Sequence, residues 1–307
     1  MPRSGRVGDS ITLILAACSA TVAVVGVTFS SALGGTASAA SRPEVGIAAQ
    51  PTATWLTNGS AATTVQRVVA SATAAHQVPV LVTYYLPGRD CGGYSSGGAS
   101  SNAQYLSWLS AIGSQLGNQP AIVIVEPDAV ALAASRSCSA ATQGSWRSLL
   151  ASAVSTLKRD RNAKVYLDAG NSGWVANQLV LATELKASGL ASADGFALNV
   201  SNFHTVTDNS RYGSALSAAV GGAHFVIATS RNGAGSLPAN SGYRGPSWCN
   251  PPGRALGPNP TTQTGLPLVD AYLWIKYPGA SDDSCGLGDP AAGVFWPAYA
   301  IGLASRG

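Results

Sequence analysis

Acid is scarce in this chain: 14 Asp and Glu in 307 residues, against 18 Lys and Arg, leave only 10% of positions charged. The 46% hydrophobic content makes the chain globular rather than disordered and suffices for one large core, or at most two small ones. The basic residues are scattered over a formal net charge of +4, with no basic run and no aromatic-basic interleaving of the kind that tracks a phosphate backbone. Nucleic acid is therefore not expected as a partner. Histidine is rarer still. His76, His204 and His224 lie far apart, without an H-E-x-x-H frame, and no C-x-x-C pair exists, so no metal site is expected.

The first residues read as a targeting segment over 1–39: "MPRSGR" is basic, "ITLILAACSATVAVVGVTF" is uncharged, and "TASAAS" offers an A-x-A site. Cleavage after Ala39 leaves 40–307 as a single catalytic domain in a secreted protein. The alternative is an uncleaved anchor, the one route to a membrane, since ~20 apolar residues can span a bilayer. "LAAC" resembles a lipid-attachment box, but its apolar run continues well past the cysteine. Without the leader four cysteines remain, Cys91, Cys138, Cys249 and Cys285, an even number suited to an oxidising compartment and open to three pairings.

Six near-continuous apolar runs follow, "VPVLVTYYL" (78–86), "AIVIVE" (121–126), "AKVYL" (163–167), "GFALNV" (195–200), "HFVIAT" (224–229) and "AYLWIK" (271–276), as strands covered on both faces should read. Between them "NAQYLSWLSAIGSQLG" places Tyr105, Trp108, Leu109, Ile112 and Leu116 at helical spacing, with Ser101 or Asn102 as cap. "SWRSLLASAVSTLK" and "GWVANQLVLATELKASG" repeat the theme. The βα alternation predicts a parallel sheet or barrel. The Gly- and Pro-rich stretch from Asn232 to Gly265 is too long for an ordinary connection. Cys249 inside it and Cys285 beyond the next strand suggest that a disulfide pins it, and Trp248, Tyr243 and three nearby arginines give it the look of a binding wall.

Four of the few acids follow directly on strand ends: Asp90, Asp128, Asp168 and Asp282. In parallel βα folds those ends gather on one face, so the four should converge there. Any single aspartate could equally be a helix cap or turn residue, Asp168 in "LDAGNSG" most of all. Convergent carboxylates repel, so one tends to keep its proton while another stays charged beside a cation. That is what glycoside hydrolysis requires: one acid protonates the leaving oxygen while another group activates water. Asp90 has Arg89 as neighbour and Asp282 has Lys276 nearby; Asp128 in "VEPDAV" has no adjacent cation, which favours it as the protonated acid. Trp55, Tyr84, Trp174, Trp248 and Trp274 fall at strand ends or loops, where flat rings with a polar tip can hold sugars. Trp108 and Trp296, on helical patterns, read as core.

Together "YYLPGRDC", "IVEPDAV", "YLDAGNSGW", "GFALNVSNF", "TSRNG", "WCNPPGRALG" and "YLWIKYPGASDDSC" resemble glycoside hydrolase family 6, the inverting cellulases, in family order and over nearly the whole mature chain. The resemblance implies an α/β fold, a distorted seven-stranded parallel barrel with an open cleft at the C-terminal ends of its strands, acting on β-1,4-glucan as a monomer with no metal or organic cofactor. It implies Asp128 as proton donor and Asp90 as the acid that raises the donor's pKa and receives a proton through a water chain. Ser96 would help to hold that water, Tyr84 would crowd the distorted sugar, and Asp282 matches an acid once proposed as base. Trp55, Arg89, Asp168, Trp174, Asn199, Trp248 and Lys276 complete the candidate substrate-binding set. Cys91 would pair with Cys138, and Cys249 with Cys285.

The chain departs from the family pattern at Ala280, Ala228 and Asn171, which replace polar residues around the site while leaving the acid pair intact. A short segment between Cys249 and Cys285 favours endo attack. Two rivals compete. "GYSSG" at 93–97 formally satisfies G-x-S-x-G, but Ser95 sits nine residues beyond Leu86 and no histidine follows His224, so the serine-hydrolase elbow lacks its context. A glucan-binding or cell-wall protein that kept the fold and lost useful activity is the other, since fold never guarantees chemistry.

Overall fold

The computed structural model describes residues 43–285 and 287–307; the leader and its cleavage site lie outside them. The apolar runs become strands β1 (Thr54–Leu56), β2 (Val80–Thr83), β3 (Ala121–Val125), β4 (Ala163–Asp168), β5 (Gly195–Leu198), β6 (His224–Ala228) and β7 (Val269–Leu273). Each pairs in parallel with the next, giving one sheet in the order of the sequence, curled into a distorted barrel. Alternation along the strands divides their side chains between two cores. Leu81, Val123, Val165, Leu167, Phe196, Phe225 and Ile227 pack outward with the helices, whereas Val82, Ile124, Tyr166, Ala197, Val226, Ala271 and Leu273 fill the interior. Both faces are thus apolar, which is why the runs are continuous rather than alternating.

The helices are α1 (Pro43–Ala48), α2 (Ala61–Ala74), α3 (Asn102–Leu116), α4 (Ala129–Ala134), α5 (Ala140–Leu157), α6 (Gln178–Ala187), α7 (Val206–Ala219) and α8 (Pro297–Ala304). Several begin where a side-chain oxygen accepts an otherwise unpaired backbone N–H, an arrangement worth about 1 kcal/mol each. Ser101 Oγ accepts from Gln104 N at 3.1 Å, so Ser101 rather than Asn102 is the cap of α3. Ser139 caps α5 several residues before the apolar run that signalled the helix, and Asn177 delays α6 to Gln178.

Strands β1 and β7 close the circle without a ladder. Ala53 N donates to Trp274 O at 3.0 Å and Trp55 Nε1 to Ile275 O at 2.9 Å. Below them Ile47, Trp274 and Ala300 form a small apolar cluster where α1 packs on α8, sealing the seam. Trp274 is therefore core, 2% exposed, and not a sugar platform. Trp296 is the reverse case: it is half-buried at the start of α8 and stacks on Tyr299, because the helix begins one residue later than its pattern suggested. Within the long 232–265 stretch Arg254 also turns inward, donating to the carbonyls of Ala234, Gly235 and Ser236, so it staples the loop instead of lining a wall. Disulfides join Cys91 to Cys138 and Cys249 to Cys285. No helix among the described residues is long and apolar enough to cross a membrane.

Candidate active site

Every acid singled out from the sequence lies at the C-terminal end of the sheet. Asp168 is the last residue of β4, Asp128 follows β3 by three residues, Asp90 lies in a short 3₁₀ turn beyond β2, and Asp282 lies beyond β7. The backbone there is unusual. Among the described residues nine that are not glycine have positive φ, and seven of them, Asp90, Cys91, Glu126, Asp128, Asn199, Asn250 and Cys285, belong to this rim. Such conformations cost roughly 1–3 kcal/mol apiece and persist only where the surroundings over-determine them.

Asp128 has the strongest reason to hold a proton. Its carboxyl is pushed up to about 6, first by burial and then by the negative charge of Asp90, with the Tyr84 hydroxyl and Lys276 pulling the other way. Tyr84 Oη donates to Asp128 Oδ2 at 3.4 Å, and the Tyr84 phenol is itself raised, by burial and then by Asp128 and Asp90. One tyrosine thus feels both acids. Asp168 sits behind: it is 1% exposed, and its Oδ2 accepts from Asp128 N at 2.8 Å and Gly170 N at 3.2 Å. This placement is a correction to its reading as a substrate ligand, because the carboxylate grips the turn that presents Asp128 and is shielded from solvent.

Asp90 is half-buried, and its Oδ2 accepts from Ser95 N at 2.7 Å. That contact falls to Ser95; Ser96 is exposed and offers its carbonyl to Arg89. Arg89 does not pair with its sequence neighbour. Its guanidinium lies 4.3 Å over the Tyr84 ring and donates to Ser95 O at 2.7 Å and Tyr84 O at 2.5 Å. It therefore ties down the loop, and the expectation of a charge partner for Asp90 or a substrate ligand does not describe its contacts. The Cys91–Cys138 bridge fixes the same loop against the segment after α4, the helix that Asp128 opens.

Asp282 is the best-neutralised acid. Arg231, 1% exposed, donates to both of its oxygens at 2.9 Å, Lys276 Nζ stands 3.4 Å away, and Asn250 N donates at 3.1 Å. Burial alone would raise its pKa, but Arg231 and Lys276 overcome that and hold the carboxyl below its ordinary value. A carboxylate so stabilised is a weak base. Lys276 also lies 6.0 Å from the Trp55 ring, which packs edge-on against Tyr84 with centroids 5.4 Å apart. Trp55, Tyr84, Lys276 and Asp128 thereby form one wall.

The remaining candidates divide. Trp248, 38% exposed, meets Tyr94 edge-on at 5.4 Å, which joins the loop holding Asp90 to the 232–265 stretch, itself tied by the Cys249–Cys285 bridge to the segment holding Asp282. Trp174 is half-buried against Gly170, where a Cβ would come within 3.1 Å of its ring. Asn199 is 1% exposed and bridges Ala228 O and His204 N, so its amide serves the backbone. Ala228 lies in the barrel interior, Ala280 is 9% exposed, and Asn171 accepts from Gly173 N. Among the described residues no group of three or more His, Cys, Asp and Glu could hold a metal ion. Ser95 has no histidine at hand: His204 bonds Ser236, and His224 bonds Asp270 at the other end of the barrel.

Sequence reasoning left out Arg231, Asn250 and Glu126. A signal existed for the first: a buried aspartate needs more than one lysine to offset its desolvation, and "TSRNG" supplied the only arginine at a strand end on that side.

Comparison with known proteins places these features in context. The family description "Glycosyl hydrolases family 6" matches residues 23–307. Endoglucanase 1 of Streptomyces sp. (strain KSM-9) is 41% identical over 265 residues, covering 84% of this chain and 70% of that protein. Endoglucanase A of Thermobispora bispora is 41% identical over 268 residues, covering 84% of this chain but 55% of its own length. Among solved structures, the endoglucanase Cel6 from Mycobacterium tuberculosis, in complex with methyl-cellobiosyl-4-deoxy-4-thio-β-D-cellobioside, shares 45% identity at a TM-score of 0.81, covering 86% of this chain and 89% of that one.

Proposed function

The chain belongs to the family 6 glycosyl hydrolases, and we propose that it is a secreted endo-β-1,4-glucanase that cleaves its substrate with inversion at the anomeric carbon. The observation that carries the mechanism is the division of labour among the acids. Asp128, pushed up to about 6, can hold a proton at mildly acidic pH and give it to the leaving glycosidic oxygen. Asp282, neutralised by Arg231 and Lys276, has little tendency to take one. The base role then falls to Asp90, which receives the proton of the attacking water through a water relay while a second water or hydroxyl completes the path. Trp55, Tyr84, Lys276 and Trp248 bind and orient the glucan, and the two disulfides suit an oxidising compartment. The endo mode rests on the endoglucanases to which the chain is similar.

Reducing-sugar release from carboxymethylcellulose tests this directly. The intact protein should release sugar and Asp128→Ala should lose at least about 10²-fold, the span expected of a general acid. Proton NMR of the first product should show the α anomer. An initial β product, or no release from any β-1,4-glucan, would overturn the assignment, the second outcome favouring a glucan-binding protein.

A further inference from the structure

Glu126 is a buried acid that the mechanism has not used. It is 1% exposed, and among the described residues no lysine or arginine lies within ion-pair distance of it; Arg89 attracts it only from farther away. A carboxylate withdrawn from water without a cation is costly unless donors converge on it. Here they do. Tyr85 N donates to both oxygens at 3.2 and 3.0 Å, Leu86 N to Oε2 at 3.0 Å, and the Tyr105 hydroxyl to Oε1 at 3.0 Å.

The direction of these bonds matters. Glu126 and Asp128 flank Pro127, and both have positive φ, 45° and 72°, so the turn sends one side chain back toward β2 and leaves the other reaching Tyr84. Tyr84, Tyr85 and Leu86 are consecutive, and they lead directly into the loop that carries Asp90. The first bonds Asp128 and the next two bond Glu126. We propose that Glu126 is a positioning residue for the reaction: by holding the main chain of Tyr85 and Leu86, its carboxylate fixes where the Asp90 loop stands relative to Asp128. The assignment rests on the reading of Asp128 and Asp90 as the reacting pair.

A carboxylate accepts from all three donors at once. In an amide of the same size the NH2 end either meets the N–H groups of Tyr85 and Leu86 or turns to Tyr105, whose hydroxyl must then accept instead of donate, and in both cases the charge that strengthens these bonds is lost. Glu126→Gln should therefore keep the fold, by near-ultraviolet circular dichroism, while letting the 85–86 segment shift. A displacement on the order of 1 Å costs up to about 10²-fold, so kcat should fall about 10- to 100-fold with KM within about 3-fold. The alkaline limb of the pH profile should move to lower pH, because Asp90 contributes to the raised value of Asp128; Tyr84, Lys276, Asp282 and Asp168, the other groups that face Asp128, are untouched. Amide hydrogen exchange at Tyr85 and Leu86 should accelerate. Tyr105→Phe, which removes one donor and leaves the carboxylate, should produce smaller changes of the same sign.

Wild-type kcat and an unmoved limb in Glu126→Gln would overturn the proposal, as would a lower kcat with both the limb and the exchange of those two amides unchanged. Should the wild-type protein release no sugar at all, the reading of the acid pair fails by itself. Exchange at Tyr85 and Leu86 then decides the role of Glu126 alone, and unaltered protection refutes it.

Discussion

Replacing Arg231 with methionine strips Asp282, at the edge of the site, of its main charge partner, and also removes the bond from Arg231 Nη2 to Ser201 O at 2.6 Å. The side chains of Arg231 and Asp282 are 0% and 5% exposed, and the two bonds between them are both 2.9 Å. Methionine fills similar space but leaves Asp282 with Lys276 at 3.4 Å and the Asn250 amide. Breaking one side of a buried pair costs about 3–5 kcal/mol. At about 2–4 °C per kcal/mol for a domain of this size, the midpoint of unfolding should fall by roughly 6–20 °C. The pH dependence separates this cause from a packing defect. In the wild type the Asp282 pKa is depressed, so its contribution is present above the unfolded carboxyl value, ~3.9, and disappears as pH falls through the lower folded value. In Arg231→Met burial prevails and the pKa rises above ~3.9, so the folded state loses stability as pH increases. The deficit should therefore widen from pH 4 to pH 7. Urea unfolding at both pH values, with disulfides intact, measures it, and Arg231→Met/Asp282→Asn should recover much of the loss at pH 7. A deficit under about 1 kcal/mol at pH 7, or one equal at both pH values, would refute the reasoning, since that is the range of a weak exposed pair.

Activity in the wild type should fall with an alkaline limb near the Asp128 value of about 6. Asp90→Asn removes a negative charge that raises this group and should move the limb downward, whereas Tyr84→Phe removes a hydrogen bond that lowers it and should move the limb upward; pH profiles of kcat with a soluble glucan check both signs. Deleting the first bridge by Cys91→Ala/Cys138→Ala should cost about 2–5 kcal/mol of stability and also depress kcat, because the bridge fixes the Asp90 loop; a stability loss with unchanged kcat would show that the loop holds itself.

Six of the seven strands were legible because double coverage makes a strand continuously apolar. β1 was not, since Thr54–Leu56 is three residues long and no periodicity can be read from three residues. Positions after strand ends located the four acids correctly on one face, for the sheet order follows the sequence. Their partners were less visible. Arg89 sits beside Asp90 in the chain yet serves carbonyls, while Arg231 bonds Asp282 across 51 positions. Adjacency in sequence is a poor guide to electrostatic pairing once a chain bends sharply. Asp168 and Asn199 were misread for a related reason: a polar residue at a strand end can serve the backbone of the next loop as readily as a ligand.

The left-handed residues carry a lesson for anyone seeking a hardier variant. Seven surround the acids, where relief of strain would also release the geometry that chemistry uses. The other two, His76 at the end of α2 and Arg136 after α4, are exposed, and His76 is remote from that task, whereas Arg136 stands two residues from the Cys138 bridge to the Asp90 loop. Glycine at His76 could gain a few tenths to about 1 kcal/mol by relieving an unfavourable φ, and turnover should be indifferent to the exchange. Robustness and reactivity are thus written at separate addresses in this chain, and one can be edited without opening the other.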